Sequence, residues 1–202
     1  MLLKKDHPGV KVFRAIYYLP SLFGGSVAVA ILWRRLFNKD GLINGVLALF
    51  GVTGLNWIAT PSTSLYTIIL LAVWQFGSPM VIFLSALKQI PTDYYEAAML
   101  DGAGRRTQFF RITLPLLTPM VFFNIVMQII NAFQAFNSAY IISGGTGAPL
   151  NANLFYSLYL YLKGFSQFQM GYAAAMAWIL LVIIGTVTGL LFLGARKWVY
   201  YD

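Results

Sequence analysis

The stretch GFSQFQMGYAAAMAWILLVIIGTVTGLLFLGA, residues 164–195, contains no charged residue. An α-helix needs roughly 20 apolar residues to cross the hydrocarbon core of a bilayer, so this stretch predicts a membrane span over about 172–194. The composition of the 202-residue chain agrees, because 59% of the residues are hydrophobic and 10% are charged. Ordinary soluble domains are about 25% charged. The composition therefore predicts a membrane protein and argues against a soluble enzyme.

Three further uncharged stretches lie upstream, and each contains an apolar run long enough for one span. We place each span on the part of its stretch that lies outside polar or glycine-rich loops. The prediction is an all-α membrane protein, a polytopic helix bundle with four transmembrane helices in a single domain. That domain covers 1–202, with spans over about 15–33, 64–87, 114–136 and 172–194.

Two shorter segments, 42–49 and 154–165, have apolar residues at helical spacing but are too short to span a bilayer. Tyrosine and tryptophan residues in or near them are typical of the membrane interface. Each segment is predicted to be a short helix that either lies in the interface or forms a buried elbow between spans.

The positive charges between the predicted spans set the orientation of the chain. Cytoplasmic loops of membrane proteins carry an excess of Lys and Arg. With the N-terminus inside, ten basic residues lie in cytoplasmic segments and four lie outside, which predicts two cytoplasmic termini and a cytoplasmic loop over 88–111. The inner residues are Lys4, Lys5, Lys11, Arg14, Lys88, Arg105, Arg106, Arg111, Arg196 and Lys197, and the outer ones are Arg34, Arg35, Lys39 and Lys163.

The chain has few residues suited to catalysis or metal binding. It has no cysteine, one histidine and six carboxylates, so disulfides are excluded and no metal site or bound cofactor is expected. No H-E-x-x-H motif occurs, and the glycine-rich segment 144–147 is not followed by the G-K-[ST] of a nucleotide-binding loop. The basic residues flank spans, which favours a lipid surface and not nucleic acid as their neighbour. We expect a protein that is not an enzyme.

The loop 88–111 is the most polar part of the chain and contains a predicted short helix. Asp93 is predicted to cap this helix, while Glu96, three residues on, reaches back to complete a variant of the capping box. The helix is expected over 94–100, and the Gly-Ala-Gly sequence at 102–104 is expected to end it. We interpret this helix as a docking element, with a plain solvated connector as the alternative.

Polar amides recur inside the third predicted span. Asn124, Gln128 and Asn131 fall at i, i+4 and i+7, on one helical face. Unpaired amides are costly in hydrocarbon, so this face is expected to look into a bundle or a water-filled cavity. Two interpretations stay open, a translocation path suited to the donors and acceptors of a sugar, or hydrogen bonds between helices. Trp74 and Gln75, midway along the second span, are weaker candidates for such a path.

The loop also resembles a known family pattern. Glu96-Ala97-Ala98, Asp101-Gly102-Ala103 and Ile112-Thr113-Leu114-Pro115 match the EAA loop of ABC importer permeases, which reads EAA-x-x-x-G, nine residues, then I-x-L-P. Segments from Phe13-Arg14 to Trp198-Val199 are similar to the carbohydrate-uptake branch, in particular the first permease of maltose- and glycerol-phosphate-type importers. By this resemblance, ATPase coupling falls to Glu96, Ala97, Ala98, Asp101, Gly102, Ala103, Arg105, Leu114 and Pro115.

The resemblance implies a permease subunit of a binding-protein-dependent importer in the plasma (inner) membrane of a bacterium. The loop helix would sit in a groove of a cytoplasmic ATPase, whose ATP-driven closure would alternate access to a central site. The implied partners are a second homologous permease subunit, an ABC ATPase dimer that holds ATP and Mg, an extracytoplasmic solute-binding protein and the lipid bilayer. Such permeases usually have two further spans upstream, so we expect this chain to lack them through truncation or a split gene.

Two alternatives to the importer interpretation are a secondary transporter or channel subunit, and a truncated permease fragment without function. Ion-coupled transporters generally place a charge within the membrane, whereas the four predicted span cores contain no Asp, Glu, Lys, Arg or His. The driving force is therefore expected to come from another chain. Mono- and oligosaccharides, polyols and glycerol phosphates all fit the residues as solutes.

Overall fold

The computed structural model describes residues 8–200, and in this range the chain forms helices and no strand. Two π-helical turns, Phe109–Thr113 and Leu162–Ser166, continue α-helices that precede them. The α-helices are α1 (Pro8–Leu22), α2 (Val27–Leu36), α3 (Leu42–Leu49), α4 (Pro61–Trp74), α5 (Gly77–Gln89), α6 (Asp93–Leu100), α7 (Arg105–Gln108), α8 (Leu114–Phe133), α9 (Asn137–Ile142), α10 (Tyr156–Tyr161) and α11 (Met170–Ala195).

Three helical segments of the described chain are long and apolar enough to cross a membrane. They run over Pro61–Gln89, Arg105–Phe133 and Met170–Ala195, and the bent pair α1 and α2 makes a fourth if it is counted as one span. The prediction of an all-α membrane protein is confirmed. Short helices form at the three predicted places as α3, α6 and α10, and α9 is a further short helix that the sequence analysis does not predict. The helices at the second and fourth predicted spans exceed the predicted bounds by two or three residues at the start and by one or two at the end.

The first predicted span is wrong as a single continuous helix over 15–33. Helix α1 ends at Leu22 and α2 begins at Val27, with a turn between them. Gly25 in this turn has φ +69°, a left-handed conformation that glycine adopts without steric cost. Ser26 then has an extended backbone before α2 starts. The backbone of the glycine pair 24–25 breaks a segment that is apolar enough to be one helix.

The helix that contains the third predicted span begins at Arg105, nine residues before the Leu114-Pro115 that the sequence analysis places at the start of the span. Where the membrane-crossing part of this helix begins stays a prediction. The π-helical turn Phe109–Thr113 joins α7 to α8 without an interruption. Pro115 has no N–H to donate to the preceding turn, and its ring crowds that turn. The wider turn directly upstream, in which the Leu114 N–H donates to the Phe109 carbonyl, accommodates the proline inside a continuous helix.

The chain divides into two compact units. Among the described residues, unit 1 comprises 8–20, 76–130 and 185–200, and unit 2 comprises 21–75 and 131–184. Unit 1 therefore contains the whole loop 88–111. The assignment of 1–202 to a single domain stays a prediction.

Aromatic side chains organise unit 1 around Phe122 of α8, which is 5% exposed. Its ring lies 4.9 Å from that of Phe192 in α11 and 6.1 Å from that of Trp198, both in edge-on geometry. Just beyond, the Tyr200 N–H donates to the Thr118 hydroxyl at 2.9 Å. These contacts fix the C-terminal segment to the first half of α8.

Unit 2 has its core between α2, α4 and α9. The buried side chains Trp33, Phe37, Ile68, Leu71 and Ile142 form one apolar cluster. The indole N–H of Trp33 donates to the backbone carbonyl of Thr67 at 2.9 Å, so its polar atom is satisfied inside this core.

The two short helices of unit 2 differ in burial. Helix α3 has no buried residue, and Leu49 at its end is 83% exposed. Helix α10 contains Leu158, which is fully buried. The structure therefore places α3 on the surface, as expected for an interfacial helix, and makes α10 a packed elbow.

A buried asparagine ties the segment after α9 to α4. The fully buried Asn153 donates through Nδ2 to the Ala148 carbonyl at 2.7 Å and to the Ser64 hydroxyl, which is also fully buried. Its backbone N–H donates to the Gly147 carbonyl at 3.1 Å. The side-chain oxygen of Asn153 has no partner. One side chain thus holds the turn at 147–148 against the second span.

Candidate coupling loop and polar span face

Helix α6 begins one residue earlier in backbone terms than the sequence predicts. Thr92 already has helical angles, φ −67° and ψ −29°, and its carbonyl accepts the N–H groups of Tyr95 and Glu96. Because Asp93 lies inside the helix and no side chain caps its start, the predicted capping box is wrong. Asp93 and Glu96 still place two carboxylates in the first turn, where the helix dipole favours negative charge.

Helix α6 ends in a Schellman motif centred on Gly102. The Ala103 N–H donates to the Ala98 carbonyl at 2.8 Å, and the Gly102 N–H donates to the Met99 carbonyl at 3.0 Å. Gly102 has φ +76°. A Cβ atom at Gly102 would meet no other atom within 4 Å, so glycine is favoured here by backbone conformation and not by lack of space.

Gly104, two residues on, has a different role. It precedes α7 with an extended backbone, φ −69° and ψ 164°, which any residue can adopt. A Cβ atom there would also meet nothing within 4 Å. The two glycines that the sequence analysis treats together therefore differ, and only Gly102 needs the left-handed conformation.

A side-chain contact fixes α6 to the start of the third span. The hydroxyl oxygens of Tyr95 and Thr113 lie 2.9 Å apart, and Thr113 is fully buried at the end of the π-helical turn. The Gln108 side chain donates to the Ala103 carbonyl at 3.0 Å, which ties the exit from α6 to the end of α7. The loop helix is therefore held at both ends, and the sequence analysis missed this pair of contacts.

The outer side of α6 offers an exposed surface of apolar and acidic residues. Tyr94, Met99 and Leu100 are 48%, 59% and 91% exposed, and Glu96 and Ala97 are exposed beside them. Large apolar side chains in contact with water are costly. Among the predicted coupling residues, Asp101, Gly102, Arg105 and Leu114 are also exposed, whereas Ala98, Ala103 and Pro115 are half-buried.

The predicted polar face of the third span lies on α8, and its members differ in environment. Asn124 is 8% exposed, and its Nδ2 donates to the Met120 carbonyl one turn earlier at 2.8 Å. Gln128 and Asn131 are exposed. The amide of Asn124 thus has a partner within its own helix, whereas Gln128 and Asn131 present their amides at the helix surface.

Trp74 and Gln75 lie where α4 ends. The Trp74 ring packs against Trp33 of the unit 2 core with centroids 5.4 Å apart, and 42% of the residue stays exposed. Gln75 is half-buried, and its backbone N–H donates to the Leu71 carbonyl at 3.1 Å. Trp74 therefore has a packing role, and neither residue shows a feature of its own that indicates a ligand.

Unit 2 also contains a series of four aromatic rings that the sequence analysis did not single out. Tyr161 lies 5.0 Å from Phe136, 5.5 Å from Tyr140 and 5.1 Å from Phe165, centroid to centroid. Tyr140 is 37% and Phe165 58% exposed. The pairs Phe136–Tyr140 and Tyr161–Phe165 are each four residues apart, so helical spacing of aromatics was a signal available in the sequence.

No group of three or more His, Cys, Asp or Glu side chains in the described range could hold a metal ion.

The family model for the binding-protein-dependent transport system inner membrane component matches residues 8–198. The chain belongs to this family. The resemblance found in the EAA loop is confirmed at this level.

Curated relatives of this family member are permease proteins of ABC transporters. The chain is 53% identical over 203 residues to the probable ABC transporter permease protein YesP of Bacillus subtilis. The alignment covers 100% of this chain and 66% of YesP. The chain is 32% identical to the lactose transport system permease protein LacF of Rhizobium radiobacter (92% and 63% covered). It is also 32% identical to the sn-glycerol-3-phosphate transport system permease protein UgpA of Yersinia enterocolitica (96% and 65%). The chain thus spans less than two thirds of each of these relatives.

Solved structures support the permease fold. A chain in the crystal structure of a bacterial alginate ABC transporter, in complex with an alginate pentasaccharide-bound periplasmic protein, matches with a TM-score of 0.83. The match covers 97% of this chain and 69% of that one at 20% identity, which shows a shared fold. The relatives of this inner membrane component are transport subunits and not enzymes, as the sequence analysis predicts.

Proposed function

We propose that the chain is a membrane-spanning permease subunit of an ATP-driven, binding-protein-dependent importer for a sugar or a related polyol or glycerol phosphate. The family match and the names of the relatives support this proposal, since they include permeases for lactose and sn-glycerol-3-phosphate. The observation that carries it is the construction of the loop 88–111.

That loop has the properties of a mechanical link. Helix α6 ends in the Schellman motif at Gly102, and the Tyr95–Thr113 hydrogen bond joins it to the π-helical turn below α8. A short rigid helix transmits a displacement that a flexible loop would absorb. In the proposed mechanism an ATPase subunit binds the exposed surface of α6, and its closure moves the third span through these contacts.

The composition of the spans supports the proposal that another chain supplies the energy for transport. The three long helical spans hold no charged residue between Pro61 and Leu87, between Ile112 and Phe133, or in α11. A chain without ionisable groups at membrane depth has no side chain that could couple transport to a proton. We therefore assign ATP and Mg to a partner ATPase dimer and propose no cofactor on this chain.

The solute path is proposed to involve the exposed amides of α8, Gln128 and Asn131. Amides offer both donors and acceptors, as the hydroxyl groups of a sugar require. Asn124 is a weaker member of this set, because its amide is already bonded to its own helix. Trp74 and Gln75 are the weakest, for the reasons given above.

The remaining parts of the proposal concern neighbours and orientation. We propose a second homologous permease subunit and an extracytoplasmic solute-binding protein as partners, with both termini of the chain on the cytoplasmic side. Helix α11 supports a large contact with lipid or with a membrane partner, because only 6% of its apolar window is buried within the chain.

The test is assembly and transport with the chain's own partners. The affinity-tagged chain is expected to co-purify with an ATPase subunit, and proteoliposomes of the complex are expected to take up solute only with ATP and binding protein. Uptake driven by a proton or sodium gradient, without an associated ATPase, would instead support a secondary transporter. Correctly inserted chain that neither binds an ATPase nor transports would identify a fragment without function.

A further inference from the structure

A pocket of about 380 Å³ lies at the end of α2, on the surface of unit 2. Two cationic residues and one amide line it, together with two apolar residues. The lining residues are Ile31, Arg34, Arg35, Asn38 and Ile141.

The arginines of this pocket have spare hydrogen-bonding capacity. Arg34 donates through Nη1 to the Ile141 carbonyl at 3.3 Å, which uses one of the five N–H groups of its guanidinium. Within residues 8–200, Arg35 makes no side-chain hydrogen bond, and neither arginine forms an ion pair. The Asn38 side chain uses its oxygen to accept the Lys39 N–H at 2.8 Å. Its Nδ2 group stays available for a further acceptor.

Stabilisation of α2 alone does not account for this arrangement. Basic residues in the last turn of a helix interact favourably with its dipole, and Arg34 also bonds to α9. That role needs no cavity and does not need Arg35, whose side chain lines the pocket without a partner. The charge count makes the cluster notable, because Arg34, Arg35 and Lys39 are three of the four cations assigned to the outer side.

We propose that this pocket binds the phosphate headgroup of an acidic phospholipid. Guanidinium groups bind phosphate oxygens in a planar, bidentate geometry, and Asn38 adds a neutral donor. Ile31 and Ile141 supply apolar walls that suit the glycerol and upper acyl chain of a lipid better than a fully hydrated anion. The pocket lies where the apolar helix α2 ends in arginines, so an acidic headgroup at the end of this helix meets two guanidinium groups. The site goes beyond the proposed import function and does not depend on it.

The experiment measures lipid retention by the full chain. The purified 202-residue chain in detergent is titrated with dioleoylphosphatidylglycerol, with dioleoylphosphatidylcholine or with inorganic phosphate, and bound lipid is counted by native mass spectrometry. Arg35→Gln is the main variant, because among residues 8–200 the Arg35 side chain makes no hydrogen bond or ion pair that its loss would break. Arg106→Gln, an exposed arginine of α7, is the matched control for loss of one charge.

We expect one phosphatidylglycerol per chain, held in preference to phosphatidylcholine. Arg35→Gln should weaken its retention about fivefold, since one basic residue near a membrane surface contributes about that factor. Arg106→Gln should have no effect, and inorganic phosphate should not compete at equal concentration.

Three results would overturn the proposal. The first is equal retention of both lipids, and the second is equal retention by wild type and Arg35→Gln with unchanged thermal unfolding. The third is displacement of the lipid by inorganic phosphate at equal concentration, which would assign the pocket to a free anion. Another outcome is that Arg35→Gln keeps the lipid while the solute-binding protein no longer stimulates ATP hydrolysis by the complex that contains this variant. That result would make the pocket a protein-docking surface, and the lipid assignment would be wrong.

Discussion

The hydroxyl of Tyr95 in α6 lies 2.9 Å from the hydroxyl of Thr113, the last residue of the π-helical turn that leads into α8. The two residues are eighteen positions apart, and Thr113 is fully buried. A hydrogen bond at this place joins α6, which carries the exposed acidic residues of the loop 88–111, to the helix that contains the third predicted span. In the proposed mechanism this bond passes a movement of α6 on to α8.

The first prediction concerns this bond. Tyr95→Phe removes the phenolic hydroxyl and leaves the buried Thr113 with only its long 3.4 Å bond to the Gln108 carbonyl. A net contribution of about 1 kcal/mol corresponds to roughly a fivefold effect on a coupled equilibrium. We expect ATP-dependent uptake to fall about fivefold while ATP hydrolysis by the complex continues. Tyr66→Phe, at an exposed tyrosine of α4 away from the loop, is the control, and equal uptake by both variants would refute the role of the bond.

The second prediction separates Gly102 from Gly104. A residue with a Cβ atom in the left-handed conformation costs about 1–2 kcal/mol, and less for asparagine. Gly102→Val should therefore abolish coupling of ATP hydrolysis to uptake, and Gly102→Asn should retain most of it. Gly104→Ala should behave as wild type because its backbone is extended. Membrane insertion, measured by the amount of chain in washed membranes, is expected to be unchanged in all three. Impaired uptake in Gly104→Ala would contradict this reading.

The third prediction concerns the charge on α6. Glu96→Lys places a cation in the first turn of the helix, against the dipole, and reverses the charge offered to a partner. If Glu96 pairs with a basic residue of the ATPase, the affinity between the subunits should fall on the order of tenfold. Co-purification of the ATPase with the tagged chain measures this change. Asp93→Lys reverses a charge in the same turn, and an equal loss there would mean that the helix dipole, and not a specific contact of Glu96, decides binding.

The fourth prediction compares two amides of α8. Asn131→Leu should lower uptake about fivefold without lowering the amount of assembled complex, because an exposed amide that contacts solute contributes about 1 kcal/mol. Asn124→Leu should have a smaller effect on uptake, since its amide is bonded to the Met120 carbonyl. Uptake and complex yield are measured on the same membranes. Unchanged uptake in Asn131→Leu would favour the interpretation of this face as a contact between helices.

The fifth prediction concerns the buried Asn153. Asn153→Ala removes the donor to Ser64 and to Ala148. The Ser64 hydroxyl is then left fully buried without this donor, whereas Ala148 is exposed and its carbonyl can bond to solvent. A loss of about 1–2 kcal/mol is expected, most of it from the buried Ser64 hydroxyl. Thermal unfolding of the detergent-solubilised chain should shift to lower temperature. Ser64→Ala removes one of the two acceptors and should cost less, so an equal or larger shift in that variant would contradict the assignment of Asn153 as the centre of the contact.

Much of the fold could be predicted because membrane spans depend on composition. A long run without charges has one stable solution in hydrocarbon, so the second and fourth spans were placed to within three residues. The break between α1 and α2 was not predicted, because a run of apolar residues gives no information on the left-handed backbone conformation of Gly25. The extension of the third helix back to Arg105 was missed for a related reason. A proline inside a helix usually kinks or breaks it. Here the π-helical turn directly upstream lets the helix continue through Pro115.

The candidate site was predictable as a segment and not as a geometry. The pattern from Glu96 to Pro115 located the loop, since spacing along the chain is all that a motif records. It could not show that Tyr95 meets Thr113, because that contact depends on how α7 and the π-helical turn bring distant residues together. Periodicity also grouped Asn124 with Asn131, although a bond within the helix satisfies the first amide and leaves the second open.

The low burial of α11 has a consequence for synthesis of the protein. Its 26 residues carry no charge, and only 6% of its apolar stretch is buried within the chain. Such a segment passes from the translocon into lipid on its own free energy of transfer. Helix α4, in contrast, carries the buried hydroxyls Ser64 and Thr67, whose partners lie elsewhere in unit 2 or within the helix itself. Cells should therefore integrate α11 into the membrane even when the earlier helices misassemble.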